Sequence, residues 1–383
     1  MEPAVSSLYV HVPFCVRKCR YCAFVSEAAD GAKMDRYAAA VARELGALDG
    51  GRRLETIYVG GGTPVLLESR HWDRLVEALD RKGMIPAAEW TVEGNPGAMD
   101  LAKARRLRAL GINRVSLGVQ SLDDDVLAGL GRIHRAADAR RAFDDLRRAG
   151  FENVNIDLMF GVPGQTLEGW RRTLEEVLTW GSEHLACYEV IYEEDTPLFR
   201  DRAAGRIRED EDLACDMYDL LLDRAGAAGL SQYEVANWAR GGGAGEFPGR
   251  ACRHNINYWR GGSYYGAGPA ACSHVGGVRR RNHRSLERYC AALERGEQAM
   301  EEVDALEPLA RAGEIAAFGL RLTSGWPYDL FRQATGYDLR TEWRTELEQI
   351  ERLGYGKREA DRFRLNPAGL RMADWVAEQM LRS

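Results

Sequence analysis

The sequence contains no apolar run approaching the roughly 20 residues that a bilayer-spanning helix requires. Its first residues, Met1-Glu2-Pro3-Ala4-Val5, show neither the basic stretch nor the long apolar stretch of a signal peptide, so a cytoplasmic location is expected. Peripheral membrane contact and oligomeric state leave no signature to read. An excess of positive charge is also missing: 52 Lys and Arg stand against 58 Asp and Glu, a formal net charge of -6. Counterion release from nucleic acid needs concentrated Lys and Arg, so no nucleic-acid partner is expected. The densest basic run, Arg279-Arg280-Arg281 with Arg284 close behind, reads as solvated surface and is assigned no partner. Long internal repeats and low-complexity tracts are absent as well.

What is present is the composition of a globular protein. At 383 residues and 45% hydrophobic content, the chain can bury a large domain and a smaller one. Up to residue 235, short β-branched runs alternate with longer helical patterns, which predicts a parallel sheet wrapped by helices. The candidate strands are Leu8–Val12, Thr56–Val59, Trp90–Glu93, Arg114–Gly118, Asn153–Met159 and His184–Ile191. The candidate helices between them are Met34–Leu48, Ser69–Lys82, Leu101–Leu110, Ala136–Ala149, Leu167–Trp180 and Leu213–Ala225. Six such units suit a partial or full α/β barrel, whose chemistry collects at the C-terminal ends of the strands. Polar and glycine residues sit at those ends, in Gly60-Gly61-Gly62-Thr63-Pro64, Glu93-Gly94-Asn95-Pro96, Gln120-Ser121 and Gly161-Val162-Pro163-Gly164-Gln165. The run Gly241-Gly242-Gly243-Ala244-Gly245 predicts a loop just beyond the barrel. A glycine- and aromatic-rich region follows, and then a mainly helical tail with segments at Glu314–Leu320, Trp343–Leu353 and Ala368–Leu381. The expected division is a barrel over 1–235, a connecting region over 236–300 and an accessory domain over 301–383.

Eight cysteines in such a compartment read as ligands or buried thiols rather than disulfides. Three of them, Cys15, Cys19 and Cys22, crowd one loop after the first candidate strand. The other five are scattered and read as small buried hydrophobes. A three-thiolate loop suits an iron-sulfur cubane with one iron left open for a small molecule. A structural zinc site, with His11 as a fourth ligand, or unliganded thiols are the alternatives that spacing leaves open.

The stretch Tyr9-Val10-His11-Val12-Pro13-Phe14-Cys15, followed by cysteines at 19 and 22, resembles the radical SAM motif of the oxygen-independent coproporphyrinogen dehydrogenase family. Gly60–Pro64, Ser116–Ser121, Gly131-Arg132-Ile133-His134 and Asn155–Thr166 resemble further blocks of that family, in the same order. The resemblance implies a (β/α)6 partial barrel of the TIM type with a small, mainly helical C-terminal domain. It also implies a 4Fe-4S cluster on Cys15, Cys19 and Cys22, with S-adenosylmethionine held by Tyr9, Tyr21, Gly61, Gly62, Thr63, Glu93, Gln120, Arg132 and Asp157. Those residue types suit the ligand: carboxylates for its ammonium and ribose hydroxyls, Gln for either role, and Arg for its carboxylate.

The branch that oxidises coproporphyrinogen has another cysteine two residues after the third ligand, where this chain has Phe24. Arg253-His254-Asn255-Ile256-Asn257-Tyr258-Trp259 is instead similar to the His-Asn-x-x-Tyr-Trp signature of the haem-chaperone branch. The likeness implies haem and an acceptor haemoprotein as partners, with His254 as iron ligand and Tyr258 and Trp259 nearby; Cys252 and His274 are rival ligands. The alternative function is a radical SAM enzyme acting on a porphyrinogen, a methyl group or the haem ring. His71, in a helix-like segment read as surface, serves as the expected non-ligand histidine.

Overall fold

The computed structural model describes residues 5–242 and 245–382. Of the predicted glycine loop, Gly243 and Ala244 fall outside the described residues. The strands of the N-terminal region are β1 (Ser7–Val12), β2 (Phe14–Cys15), β3 (Glu27–Ala28), β4 (Thr56–Gly61), β5 (Glu89–Gly94), β6 (Arg114–Gln120), β7 (Val154–Phe160) and β8 (His184–Glu189). They are followed by β9 (Ser231–Glu234), β10 (Asn237–Ala239) and β11 (Tyr265–Ala267). One nine-stranded sheet runs in the order β11-β1-β4-β5-β6-β7-β8-β10-β9. Neighbours from β11 to β8 are parallel, and β10 and β9 close that end as an antiparallel hairpin.

Parallel pairing follows from the connections. Helices α1 (Gly31–Ala47), α2 (Ser69–Arg81), α3 (Leu101–Ala109), α4 (Asp124–Gly129), α5 (Ala136–Arg148) and α6 (Leu167–Thr179) return the chain to the same end of the sheet after each strand. Side chains alternate across a strand, and here the alternation separates two chemistries. Leu8, Val10, Val12, Ile57, Val59, Trp90, Val92, Val115, Leu117, Ile156 and Leu158 are all buried in one core with the helices. The opposite faces of the same strands carry Thr56, Tyr58, Glu89, Glu93, Arg114, Ser116, Asn155, Asp157 and His184, and these line the interior of the curved sheet. The barrel is therefore apolar outside its wall and polar within.

Three details differ from the sequence reading. The boundary expected at 235 falls inside the β9–β10 hairpin, both strands of which belong to the barrel sheet, and β11 extends that sheet from the region read as a connector. His71 is not a surface residue: it sits at the third position of α2 with Nδ1 accepting from the Glu68 backbone N–H at 3.0 Å and Nε2 bonded to Asp35 at 2.9 Å. The basic run lies in the strand Val278–Asn282, where Arg279 pairs with Asp304 and Glu314 and Arg281 pairs with Glu302.

The tail has its own core around Trp326, Phe331, Trp343, Leu347 and Phe363. Its two fully buried indoles are satisfied by backbone carbonyls, Trp326 to Ile315 at 3.0 Å and Trp343 to Met380 at 2.8 Å, as buried Trp requires. Beside the expected helices it contains a small three-stranded sheet of Trp326–Pro327, Gly356–Arg358 and Arg362–Leu365. Among the described residues, no helix is long and apolar enough to cross a membrane.

Candidate functional site

β2 ends at Cys15, and the chain loops through Cys19 and Cys22 before returning as β3, parallel to β2. The loop is tied to the barrel by its neighbours. The Arg20 backbone N–H donates to Leu130 at 3.0 Å, the Leu198 N–H donates to the Arg20 carbonyl at 3.0 Å, and the Arg17 guanidinium donates to Gly131 at 2.8 Å. All three cysteines are half-buried. Two of the sulfurs are already met by donors: Thr63 Oγ1 approaches Cys15 Sγ at 3.7 Å and Arg132 Nη1 approaches Cys19 Sγ at 3.6 Å. Donors aimed at sulfur stabilise thiolates and are the means by which proteins tune sulfur-ligated metal centres.

These thiols, with no fourth partner, do not converge on one point as a single zinc ion requires; among the described residues no Cys, His, Asp or Glu group does so. A cubane takes one thiolate at each of several corners and so tolerates wider spacing. His11, the other ligand considered for zinc, has both nitrogens engaged, Nδ1 with Tyr9 Oη at 3.0 Å and Nε2 with the Val25 carbonyl at 2.8 Å. With His11 spent, the loop offers three thiolates, the number that a cubane with one open iron takes, and no fourth ligand for zinc.

Behind the loop, the barrel mouth opens into a cavity of about 510 Å³. Its lining includes Cys15, Cys19, Tyr21, Cys22, Gly61, Gly62, Glu93, Gln120, Arg132 and Asp157. Tyr9 and Thr63 do not line it: Tyr9 turns its hydroxyl to His11, and Thr63 sits between Cys15 and Asn95, accepting from Asn95 Nδ2 at 2.8 Å. The reason for glycine is also more specific than open approach to a ligand. Gly61 has φ of +108°, which disfavours any side chain, and a Cβ at Gly62 would come within 2.5 Å of the Phe14 carbonyl. Gly62 lets the cysteine loop lie directly on the end of β4, where the Thr63 N–H donates to Phe14 at 2.7 Å.

Of the carboxylates lining the cavity, Glu93 and Asp157 stand on the barrel strands β5 and β7. Glu93 accepts from Tyr58 Oη at 2.9 Å and from the Gly61 N–H at 3.0 Å. Burial, and then the like charge of Asp157, push its pKa up to about 7. Asp157 accepts from Asn155 at 2.6 Å and from Ser116 at 3.2 Å; burial raises it to about 6 against the pull of those bonds and of Arg114 and Arg132. Arg132 donates to the Gly118 carbonyl at 2.7 Å and to Asn95, which fixes its guanidinium between the cysteine loop and β6. Gln120 holds a left-handed backbone (φ 66°), with its side-chain oxygen accepting from Tyr188 at 3.1 Å. Such strain in a non-glycine residue persists where the surroundings over-determine it. Tyr58, Asn95, Ser116 and Tyr188 also line the cavity and were missed; the period of two that places Tyr58 on the same face as Gly60 was the signal available. At the rim, Phe24 and Ile191 are 63% and 66% exposed and flank the opening.

His254 lies at the other end of the barrel. It belongs to a short helix, Arg253–Trp259, whose N-terminus is held by Glu89: the carboxylate accepts from the Arg253 N–H at 3.0 Å and the His254 N–H at 3.1 Å. The imidazole is 1% exposed, and both its nitrogens are used, Nδ1 with Thr56 Oγ1 at 2.8 Å and Nε2 with Tyr258 Oη at 2.9 Å. Burial, reinforced by nearby Arg114, lowers its pKa to about 3, so it is neutral. In this conformation His254 offers no nitrogen to a haem iron. Its rival Cys252 is also buried, with its thiol toward Glu89 at 3.5 Å. His274 is half-buried on the strand Cys272–Val275, with Nδ1 at 3.5 Å from the Gly262 carbonyl.

Comparison with known proteins agrees with this geometry. Residues 9–177 match the Radical SAM superfamily and residues 306–372 match the HemN C-terminal domain. The chain is 31% identical to the Heme chaperone HemW of Bacillus subtilis, with 88% of each chain covered. It is 31% identical to that of Lactococcus lactis over 98% of this chain and 97% of the relative, and 33% identical to that of Mycobacterium tuberculosis over 98% and 94%. The structure of Coproporphyrinogen III oxidase (HemN) from Escherichia coli, described as a Radical SAM enzyme, aligns with a TM-score of 0.82 at 21% identity, covering 98% of this chain and 89% of that one, which establishes a shared fold. With one barrel, one C-terminal domain and relatives matched across nearly the whole length, the chain belongs to the HemW family of the radical SAM superfamily.

Proposed function

We propose that this protein is a haem chaperone that binds haem and passes it to acceptor haemoproteins, and that it carries a 4Fe-4S cluster on Cys15, Cys19 and Cys22 with S-adenosylmethionine in the cavity behind them. The observation that carries the cofactor part is that three half-buried thiols, two of them met by donors, line the same cavity as Glu93, Asp157, Gln120 and Arg132. The haem part rests on the printed function of the relatives and on Phe24 at the position of the dehydrogenase branch's further cysteine.

Cys15, Cys19 and Cys22 would hold the cluster, which would leave one iron open to a small ligand and would supply an electron. The chain's own groups do the positioning. Arg132 is anchored by two acceptors and keeps a cation beside Cys19, where it would attract a ligand carboxylate. Glu93 and Asp157 face the cavity with raised pKa values, so near neutral pH each can accept or donate to ligand hydroxyl and ammonium groups. Tyr21, whose hydroxyl burial holds protonated, lines the cavity beside the loop. Haem is the cargo. Tyr258 and Trp259 remain the aromatic candidates near it, whereas His254 as it stands does not fit the role of iron ligand, and no step is assigned through it.

The test is anaerobic reconstitution followed by parallel assays on the unmodified protein. We expect haem binding, S-adenosylmethionine binding and no conversion of coproporphyrinogen. Protoporphyrinogen formed over many turnovers would move the protein to the enzyme reading.

A further inference from the structure

We propose that His254 is a positioning residue for the S-adenosylmethionine site: with the helix Arg253–Trp259 plugged into the floor of the barrel, its imidazole carries Tyr58, which in turn fixes Glu93. This inference rests on the cavity binding S-adenosylmethionine.

The route is continuous. His254 stacks on Tyr58 with ring centroids 5.2 Å apart and planes 27° from parallel. The far edge of Tyr58 lines the cavity, and its hydroxyl donates to Glu93 at 2.9 Å. Below the stack the imidazole is clamped between Thr56 on β4 and Tyr258 on its own helix, which fixes its plane as well as its height. A second chain of bonds runs from the same helix to the other cavity acid. The Cys252 N–H donates to Tyr233 Oη at 3.3 Å, Tyr233 bonds His184 at 2.8 Å, His184 bonds Asn155 at 2.6 Å, and Asn155 donates to Asp157 at 2.6 Å. One helix thus supports Glu93 and Asp157 from beneath. A fully satisfied buried network of this kind specifies one arrangement, and loosening one member is felt at the others.

A side chain that ligated iron instead would need a free nitrogen and a path to it, and His254 has neither while the helix is in place. The two assignments predict opposite patterns. Anaerobically reconstituted full-length protein is compared with His254→Ala, His254→Gln, Tyr58→Phe and the double variant His254→Ala/Tyr58→Phe. Each is measured for iron and sulfide content, S-adenosylmethionine affinity, the change that S-adenosylmethionine makes in the spectrum of the reduced cluster, and haem retention.

With cluster content unchanged, His254→Ala and Tyr58→Phe should each weaken S-adenosylmethionine binding by roughly tenfold, about the value of a lost buried hydrogen bond. The double variant should be little worse than either single one, because both interrupt one route. His254→Gln, which keeps a polar partner for Thr56 or Tyr258, should recover most of the affinity and of the spectral change. If His254→Ala fails to fold, Tyr58→Phe and His254→Gln, which remove fewer atoms, carry the comparison. Full S-adenosylmethionine affinity in Tyr58→Phe and in the foldable His254 variants overturns the inference, as does loss of haem with that affinity intact. Absence of S-adenosylmethionine binding by the unmodified protein overturns the proposed function as well, and so separates the two failures.

Discussion

The two ends of the barrel use similar residue types to opposite ends. At the mouth, three cysteines, Glu93, Asp157 and Arg132 face a cavity rimmed by the exposed Phe24 and Ile191. At the floor, Glu89, Arg114, Thr56, His184 and His254 are each no more than 6% exposed, and the helix Arg253–Trp259 seals them from solvent. Every polar group of the floor histidines has a partner, whereas the cavity acids at the mouth have hydrogen bonds from one side and open space on the other. The difference teaches that a chemistry-bearing residue marks a ligand site when its capacity is unspent. The same residue with its bonds satisfied is part of the scaffold.

The largest effect should appear at the mouth. Cys15→Ala, Cys19→Ala or Cys22→Ala should each abolish the cluster, measured as iron, sulfide and visible absorbance, while Cys252→Ala at the floor should retain it. A full cluster in all three mouth variants would erase the distinction between the two ends. At the floor, Glu89→Ala removes the acceptor of two backbone N–H groups beside the buried Arg114. We expect a loss of about 3 kcal/mol in stability by denaturant unfolding, the usual cost of stranding two buried donors. Glu93→Gln at the mouth should cost little stability and instead weaken S-adenosylmethionine binding by about tenfold, in line with one charge-assisted bond. Equal stability losses in the two variants would contradict the contrast.

pH sharpens the comparison further, because burial acts oppositely on acids and imidazoles. Glu93, raised to about 7 from an ordinary value of 4.5, binds its proton more tightly in the folded chain. Its favourable contribution is complete below about pH 4.5 and is lost as pH rises through about 7. Glu93→Gln should therefore gain thermal stability relative to the unmodified protein between those values, and an unchanged difference across that range would count against a buried acid. His254, lowered to about 3 from 6.5, contributes stability above pH 6.5 that is lost as pH falls toward 3. His254→Gln should flatten that acid-side loss. The smallest effect should come from Phe24→Ala, which lies exposed at the rim and should leave cluster content within error of the unmodified protein.

Much of the mouth was legible in the sequence, because its residues follow strands whose period of two and flanking glycines can be read directly. Cys15, Cys19, Cys22, Gly61, Gly62, Glu93 and Gln120 sit in such loops or near such strand ends, Asp157 lies mid-strand on β7 and Arg132 just past α4, and the structure brings them around one cavity. The floor was not legible. Glu89, Arg114 and His184 come from strand starts far apart in the chain, and nothing local announces that a seven-residue helix beginning 64 residues after the end of β8 will plug them. His254 was read from its motif as a ligand because a motif records residue types and not whether their bonds are spent. His71 misled for a related reason: its neighbours Arg70 and Asp73 are polar, yet the helix face it occupies turns inward to cap α2. In the tail, the short strands at 326–327, 356–358 and 362–365 escaped because two- to four-residue strands carry too little periodicity to register.

The most direct test of the account is electron paramagnetic resonance on the anaerobically reconstituted, reduced protein, recorded with and without S-adenosylmethionine and paired with iron and sulfide analysis. The account predicts about four irons and four sulfides per chain and a signal that changes when S-adenosylmethionine reaches the open iron. A stoichiometric cluster whose signal is indifferent to saturating S-adenosylmethionine would contradict it, since the cavity behind the cysteine loop would then not be that ligand's site.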